Sequence, residues 1–168
     1  MTTLYLVRHG ETVDNAAQIM QGQRQGALNA AGVAQAERLS AETASWPIDV
    51  FLASDLKRSI DTCRILARPH EKDVVTTPLL RERDWGGFTG RFIPSLKDEP
   101  WPADVETMEA MKARAGAFLD FVRSRYAGQT VLAVGHGIIN KAIQSVLFAR
   151  PMNEIQRMEN AEVRRLEI

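Results

Sequence analysis

LYLVRHGET, residues 4–12, joins a short β-forming run (Leu4, Tyr5, Leu6, Val7) directly to Arg8, His9 and Gly10. The run is too short for a helix, so it predicts a buried strand that delivers charge to its carboxyl end. In open α/β sheets ligands bind beyond the carboxyl ends of the strands, and an Arg-His pair there points to an anionic ligand. Gly10 lets the backbone turn sharply and approach such a ligand closely.

The same design returns late in the chain. QTVLAVG, residues 129–135, is a continuous apolar strand that delivers His136 and Gly137. A helix over 138–149 follows, which places Gly137 near a helix N-terminus whose free N–H groups suit an anion. Between these two strands, residues 30–43 predict a helix capped by Asn29, with Val33, Ala34, Ala36 and Leu39 near helical spacing. Residues 48–53 predict a second buried strand. Ser54 or Asp55 is then positioned to cap a helix striped by Leu56, Ile60, Cys63 and Leu66. Arg58 lies in that helix's first turn, where a cation is unfavourable unless an anion sits beside it. Lys57 and Arg64 read as solvated, as does His70 between Pro69 and Glu71. A short strand at Val74 and Val75, an irregular proline-bearing stretch over 92–105, a long helix over 106–126 and a final edge strand over 162–168 complete the chain.

Composition bounds the possibilities. The chain has 168 residues, 45% hydrophobic and 25% charged, with a formal net charge of zero. That length suits one domain over 1–168, with a core that needs neither disulfide nor metal. The balanced charge gives no support to a nucleic-acid or anionic-membrane partner. One cysteine, Cys63, reads as a packed thiol. With no secretory segment and no apolar run of about 18 residues, the expected location is cytoplasmic.

Five blocks, in order, resemble the histidine phosphatase superfamily, which includes phosphoglycerate mutases, acid phosphatases and phosphohistidine phosphatases. They are LVRHGET (6–12), Gln35-Ala36, SDLKRSIDTCRILA (54–67), LLRERDWGGFTGR (79–91) and the strand ending in His136-Gly137. The resemblance implies a three-layer α/β/α sandwich with a mostly parallel central sheet, like the phosphoglycerate mutases. It also implies roles: His9 as nucleophile, Arg8 and Arg58 as clamping arginines, Asn15 as a phosphoryl contact, Glu82 as the carboxylate and His136 as the second histidine. Gly137 joins the phosphate-binding set through its place at the helix N-terminus.

Some positions depart from the family pattern. Gln25, Gly26, Ala27 and Leu28 stand where an Asp-x-Pro-Leu turn is usual, and Val105, Glu106 and Thr107 replace Gly-Glu-Ser, with Arg114 following at the family's spacing. Lys141 stands for a common arginine and is expected at the surface. The region about 85–105 is expected to cover the pocket as a short lid.

The residue types make chemical sense together. Two guanidinium forks can neutralise a phosphomonoester dianion, and a neutral His9 can then attack phosphorus to form a phosphohistidine. His136, cationic once phosphate is bound, would hold an equatorial oxygen. Glu82 would protonate the leaving oxygen and then activate water, given a semi-apolar surrounding from Trp85 and Phe88 that lets it hold a proton. No metal and no cofactor is required. The expected activity is hydrolysis of a small phosphorylated metabolite or of a phosphoprotein. A mutase and a non-catalytic phospho-ligand sensor are the alternatives, and substrate identity and oligomeric state stay open.

Overall fold

The computed structural model describes residues 1–168, and its five-stranded sheet has the order β3-β2-β4-β1-β5. The strands are β1 (Thr3–Arg8), β2 (Val50–Ala53), β3 (Val74–Thr76), β4 (Thr130–Gly135) and β5 (Val163–Glu167). Four are parallel, and β5 alone runs antiparallel, along the edge of β1. The helices are α1 (Val13–Ala17), α2 (Ala30–Thr43), α3 (Lys57–Ala67), α4 (Met108–Arg125) and α5 (Gly137–Phe148).

Strand alternation sorts the core into two layers. Leu4, Leu6, Val131 and Ala133 face α4 and α5, where Met111, Phe118, Leu119, Ile139 and Ile143 complete the packing. Val7, Leu132 and Val134 face the opposite way, onto Leu39 of α2 and Cys63 and Leu66 of α3. Each fully buried side chain of this size contributes roughly 1.5–3 kcal/mol, so helices on both faces are what make the continuous apolar strands stable. The three-layer α/β/α architecture with a mostly parallel sheet is therefore the observed one.

The pairing of β1 with β4 sets the site. Arg8 is in register with Gly135, so the next residues, His9 and His136, leave the sheet side by side. Their rings lie 5.0 Å apart, edge to face.

Several local expectations need correction. In α2 the buried face is Gly32, Ala36, Leu39, Ser40 and Thr43, while Val33 is 37% exposed. The reason is a backbone crossing: a Cβ on Gly10 would sit 2.5 Å from the Gly32 carbonyl oxygen, and a Cβ on Gly32 would overlap the Glu11 carbonyl. Gly10 thus serves a close approach to α2, and its backbone N–H donates to Thr62 Oγ1 (3.1 Å). Gln35 Oε1 accepts from Glu11 N–H at 2.9 Å and holds the same crossing.

Neither Ser54 nor Asp55 caps α3, whose N-cap position is Leu56. Gln25 serves instead, its Oε1 accepting from Lys57 N–H at 2.9 Å and its carbonyl from Arg58 N–H at 3.3 Å. The stretch that departs from the family's turn is therefore the one that closes this helix end. Asp55 is taken by Arg81, which donates to its two oxygens at 2.7 and 2.6 Å. His70 is not solvated: it packs on Phe51, with ring centroids 5.0 Å apart, and its Nε2 donates to the Thr43 carbonyl. No helix is long and apolar enough to cross a membrane.

Candidate active site

A cavity of about 320 Å³ opens beyond the carboxyl ends of β1 and β4, and Arg8, His9, Asn15, Arg58, Glu82 and Gly137 all reach its wall. His136 stands behind that wall.

His9 is held on three sides. Its N–H donates to Gly135 O (3.2 Å), its carbonyl accepts from Asn160 Nδ2 (3.0 Å), and its ring Nδ1 lies 2.6 Å from Gly10 O. A carbonyl only accepts, so Nδ1 carries the proton and Nε2 keeps its lone pair. Burial, then the positive charge of Arg58, lowers the His9 pKa to about 3. The imidazole is neutral at physiological pH, with its basic nitrogen free.

His136 has both ring nitrogens engaged. Nε2 lies 2.7 Å from Ser54 Oγ and 3.0 Å from Ser59 Oγ, while Arg58 Nε–H donates to Nδ1 at 3.3 Å. Nδ1 is thereby the acceptor, and Nε2–H faces the serines. Burial and the charge of Arg58 push its pKa well below the ordinary histidine value, so without a bound anion this ring is neutral. The cationic state expected with phosphate bound would need the Arg58 Nε–H to leave Nδ1.

Two buried neutral histidines make stability fall in acid. The unfolded chain binds protons at these side chains near pH 6.5, whereas the folded chain does not, so stability is complete above that pH and declines below it. For His9 the decline runs down to about pH 3. Each histidine is expected to contribute a slope of about 1.4 kcal/mol per pH unit. Denaturant midpoints from pH 7 to 4.5 check this: His9→Gln should flatten the decline, and an unchanged slope would mean that His9 titrates normally.

The two arginines differ in how much they have to offer. Arg58 is 1% exposed, and its Nη1 donates to the carbonyls of Arg24 and Gln25, its Nη2 to that of Gly22 (2.6 Å). With Nε on His136, one of its five N–H groups is left. Burial brings its pKa down to about 10, which leaves it cationic at neutral pH. Arg8 spends a single N–H, from Nη1 to Met158 O at 2.8 Å, and its Nε is buried with no acceptor. An orphaned charged donor of this kind is costly unless an anion fills the place. Contrary to expectation, Arg58 needs no anion to sit beside the α3 N-terminus, because loop carbonyls already compensate its charge.

Glu82 is built into the wall by its acceptor capacity. Its carboxylate accepts from the N–H groups of Ile138 (3.0 Å), Ile139 (3.0 Å) and Arg83 (2.9 Å), so it caps α5. The expected semi-apolar surrounding is found in part: Trp85 lines the cavity with Ile19, Met20, Ile93 and Ile138. Phe88 turns into a small separate core with Leu96 and Val105, leaving Trp85 at the cavity. Arg114 fixes the segment before Glu82, donating to the carbonyls of Leu79 and Arg81 while paired with Glu106. The Arg83 guanidinium lies between Trp85 and Trp101, 4.7 and 5.0 Å from their ring centroids, and ties the covering segment down.

Asn15 closes a capping box with Thr12: its Oδ1 accepts from Thr12 N–H at 3.1 Å, which leaves its Nδ2 donors for the cavity. Gly137 is the first residue of α5. Lys141, expected at the surface, is half-buried and lines the cavity, as does Arg157. Ser59, Asn160 and Arg157 also belong to the site, though no motif marks them. Ser59 had a signal, since it follows Arg58 on the same helical turn; the other two lie in an irregular loop with none.

A family model of the histidine phosphatase superfamily, branch 1, matches residues 4–168. The chain belongs to the histidine phosphatase superfamily. Among its relatives, the probable phosphoglycerate mutase GpmB of Enterobacter sp. (strain 638) is 32% identical over 183 residues, covering 99% of this chain and 85% of that one. Its counterpart in Yersinia pestis (strain Pestoides F) is 33% identical over 172 residues, covering 94% and 80%. Among solved structures, Bacillus stearothermophilus YhfR superposes with a TM-score of 0.88 at 28% identity, covering 100% of this chain and 92% of that one. A mycobacterial glucosyl-3-phosphoglycerate phosphatase superposes at 0.91 with 24% identity, covering 98% and 92%, and shares the fold.

Proposed function

We propose that this histidine phosphatase superfamily member hydrolyses small phosphomonoesters through a phosphohistidine at His9, without a metal ion. The observation that carries the reading is the unprotonated, unpartnered Nε2 of a neutral His9 in a cavity whose arginines have unspent donors.

Arg8, with the last N–H of Arg58, Asn15 Nδ2 and the Gly137 N–H, would hold the non-bridging phosphoryl oxygens. The Nε2 lone pair forms the N–P bond as the bond from phosphorus to the alcohol oxygen breaks, and Glu82, which takes up a proton when the phosphate dianion binds beside it, delivers that proton to the oxygen. In the second step water attacks phosphorus, Glu82 takes the water's proton, and the N–P bond breaks to restore neutral His9. His136 would act from behind Arg58, its Nδ1 accepting from Arg58 Nε–H and so holding the guanidinium in place for the phosphoryl oxygens. The same cavity repels a divalent cation, because four cations and a single carboxylate line it.

Phosphate release from a panel of phosphomonoesters, measured before and after exhaustive chelation, tests the reading. Turnover is expected to survive chelation, and a requirement for added divalent ions would overturn metal independence. The names of the 32% and 33% identical relatives favour a second reading, phosphoryl transfer within phosphoglycerate. Incubation with 3-phosphoglycerate, with and without 2,3-bisphosphoglycerate, separates the two: free phosphate supports hydrolysis, and conversion to 2-phosphoglycerate without it supports the mutase.

Glu82→Gln keeps one acceptor oxygen, enough for one of the two α5 N–H groups, but cannot move a proton. We expect alkyl phosphates to lose about a hundredfold or more in kcat/KM and an aryl phosphate with an acidic phenol far less. Equal losses in the phosphorylation step would move the proton to another group.

A further inference from the structure

The inner face of α5 carries an asparagine among apolar residues. Asn140 is fully buried, flanked on its helix by buried Ile139, Ala142 and Ile143, and its Oδ1 has no hydrogen-bond partner. A glycine in β4 makes room for it: a Cβ on Gly135 would sit 2.2 Å from that Oδ1, and Gly135 has no left-handed backbone angle that would otherwise call for glycine. A leucine of similar shape would strand no acceptor, and an unpartnered buried oxygen destabilises a fold. The amide therefore serves something other than stability.

Its two N–H groups show what that is. Asn140 Nδ2 donates to the Val7 carbonyl at 3.1 Å and to the Met158 sulfur at 3.6 Å. Val7 precedes Arg8 in β1, and the Met158 carbonyl receives the Arg8 guanidinium at 2.8 Å. One amide thus grips Arg8 at both ends, through the backbone at its root and through the residue that takes its tip. Gln144, one turn further along α5, reinforces the second grip. Its Nε2 lies 3.8 Å from the Met158 sulfur, and its Oε1 accepts from Arg164, which also donates to the carbonyls of Gln156 and Arg157. The loop that receives Arg8 is therefore seated on α5 by polar contacts. Arg8 depends on that seat more than Arg58 does. Arg58 is bonded through Nε, Nη1 and Nη2, whereas the direction of Arg8 rests on its single Nη1 bond.

We infer that Asn140 is a positioning residue for Arg8, acting through Val7 and Met158 to hold the unspent donors of the guanidinium at the cavity wall. This rests on reading Arg8 as a clamp on a phosphomonoester. A planar fork that meets two oxygens at once tolerates little displacement, and an error of about 1 Å can cost about a hundredfold in rate. Asn140 also sets the arginine against the start of its own helix. A Cβ on Gly137 would lie 3.6 Å from Arg8 Nε, so the amide fixes Arg8 relative to the Gly137 N–H, the neighbouring oxygen contact.

Asn140→Leu removes both donors and the stranded oxygen at similar volume. Calorimetric titration with inorganic phosphate reads the clamp without turnover. Nitrogen-15 NMR of the Arg8 Nε–H, identified by its absence from Arg8→Lys, reads the guanidinium itself. The variant is expected to bind phosphate at least about tenfold more weakly and to exchange the Arg8 Nε–H with solvent at least about tenfold faster. On an Arg8→Lys background, Asn140→Leu should weaken phosphate no further, because the group it positions is gone. A merely structural asparagine would lower affinity equally in both backgrounds. If Asn140→Leu does not fold, Asn140→Ser, whose side chain is too short to reach the Met158 sulfur, carries the same measurements. An unchanged Nε–H exchange rate, an unchanged affinity where the wild-type chain binds phosphate, or equal losses in the two backgrounds would overturn the proposal. Faster exchange in the variant of a wild-type chain that binds no phosphate would keep the positioning role and reject the phosphomonoester reading instead.

Discussion

His9→Ala is expected to lower phosphomonoester turnover by about three orders of magnitude or more and to leave the protein without a covalent phosphoryl group. The size of the effect follows from the number of conditions that this one side chain meets. The Gly10 carbonyl fixes the tautomer, so Nε2 is the lone-pair nitrogen. Burial beside Arg58 and Arg8 keeps that lone pair unprotonated down to about pH 3. Main-chain bonds to Gly135 and Asn160 hold the residue where β1 ends. An alanine there keeps the backbone bonds and the arginine clamp, so substrate still binds while the bond to phosphorus cannot form. Rapid mixing with labelled substrate followed by an alkaline quench should trap an acid-labile label on the wild-type chain and none on the variant. Label retained by His9→Ala, or turnover within a few fold of wild type, would remove His9 from the mechanism.

Arg58→Ala should damage folding and activity together. The guanidinium bridges α3 to the loop at residues 22–25 and supplies a donor to His136 Nδ1, so its removal strands the Gly22, Arg24 and Gln25 carbonyls next to a buried histidine. Buried groups left without partners typically cost 1–3 kcal/mol each, and allowing for relaxation of the loop the expected destabilisation is roughly 3 kcal/mol. Activity of the folded fraction should drop by at least about a hundredfold, because the clamp loses a charge and His136 loses the donor on Nδ1. Arg58→Lys separates charge from geometry. A single ammonium cannot reach three carbonyls and an imidazole at once, so lysine should recover little of either quantity. Denaturant unfolding and kcat/KM measured on the same preparations check this. Full rescue by lysine would mean that charge alone matters at this position.

His136 shows why such coupling is invisible in a motif. Two apolar runs that each end in a histidine predict two strands delivering imidazoles to one sheet edge, because burial patterns are written locally in residue order. The strands β1 and β4, with their histidines at the carboxyl ends, follow from that kind of local pattern; the layers of helices on both faces were implied by the family resemblance. Glu82 is different: nothing in its own neighbourhood separates it from other acids between arginines, and only the resemblance of the whole 79–91 block singled it out.

What the amino-acid order determined by itself, then, is the alternation of elements and the residue types brought to the sheet edge, since apolar periodicity and chain direction are properties of short segments. What only the tertiary structure decided is which atoms meet: Arg8 opposite Gly135 in parallel register, Gly10 crossing Gly32, Gln25 closing α3, and Ser54 turned from a helix cap to the His136 ring. It likewise decided that Lys141 and Arg157 share a cavity with the arginine clamp. Such pairings can join residues 150 positions apart, as between Arg8 and Met158. A buried donor or acceptor takes whichever partner the folded backbone brings within about 3 Å, and no local pattern carries that distance.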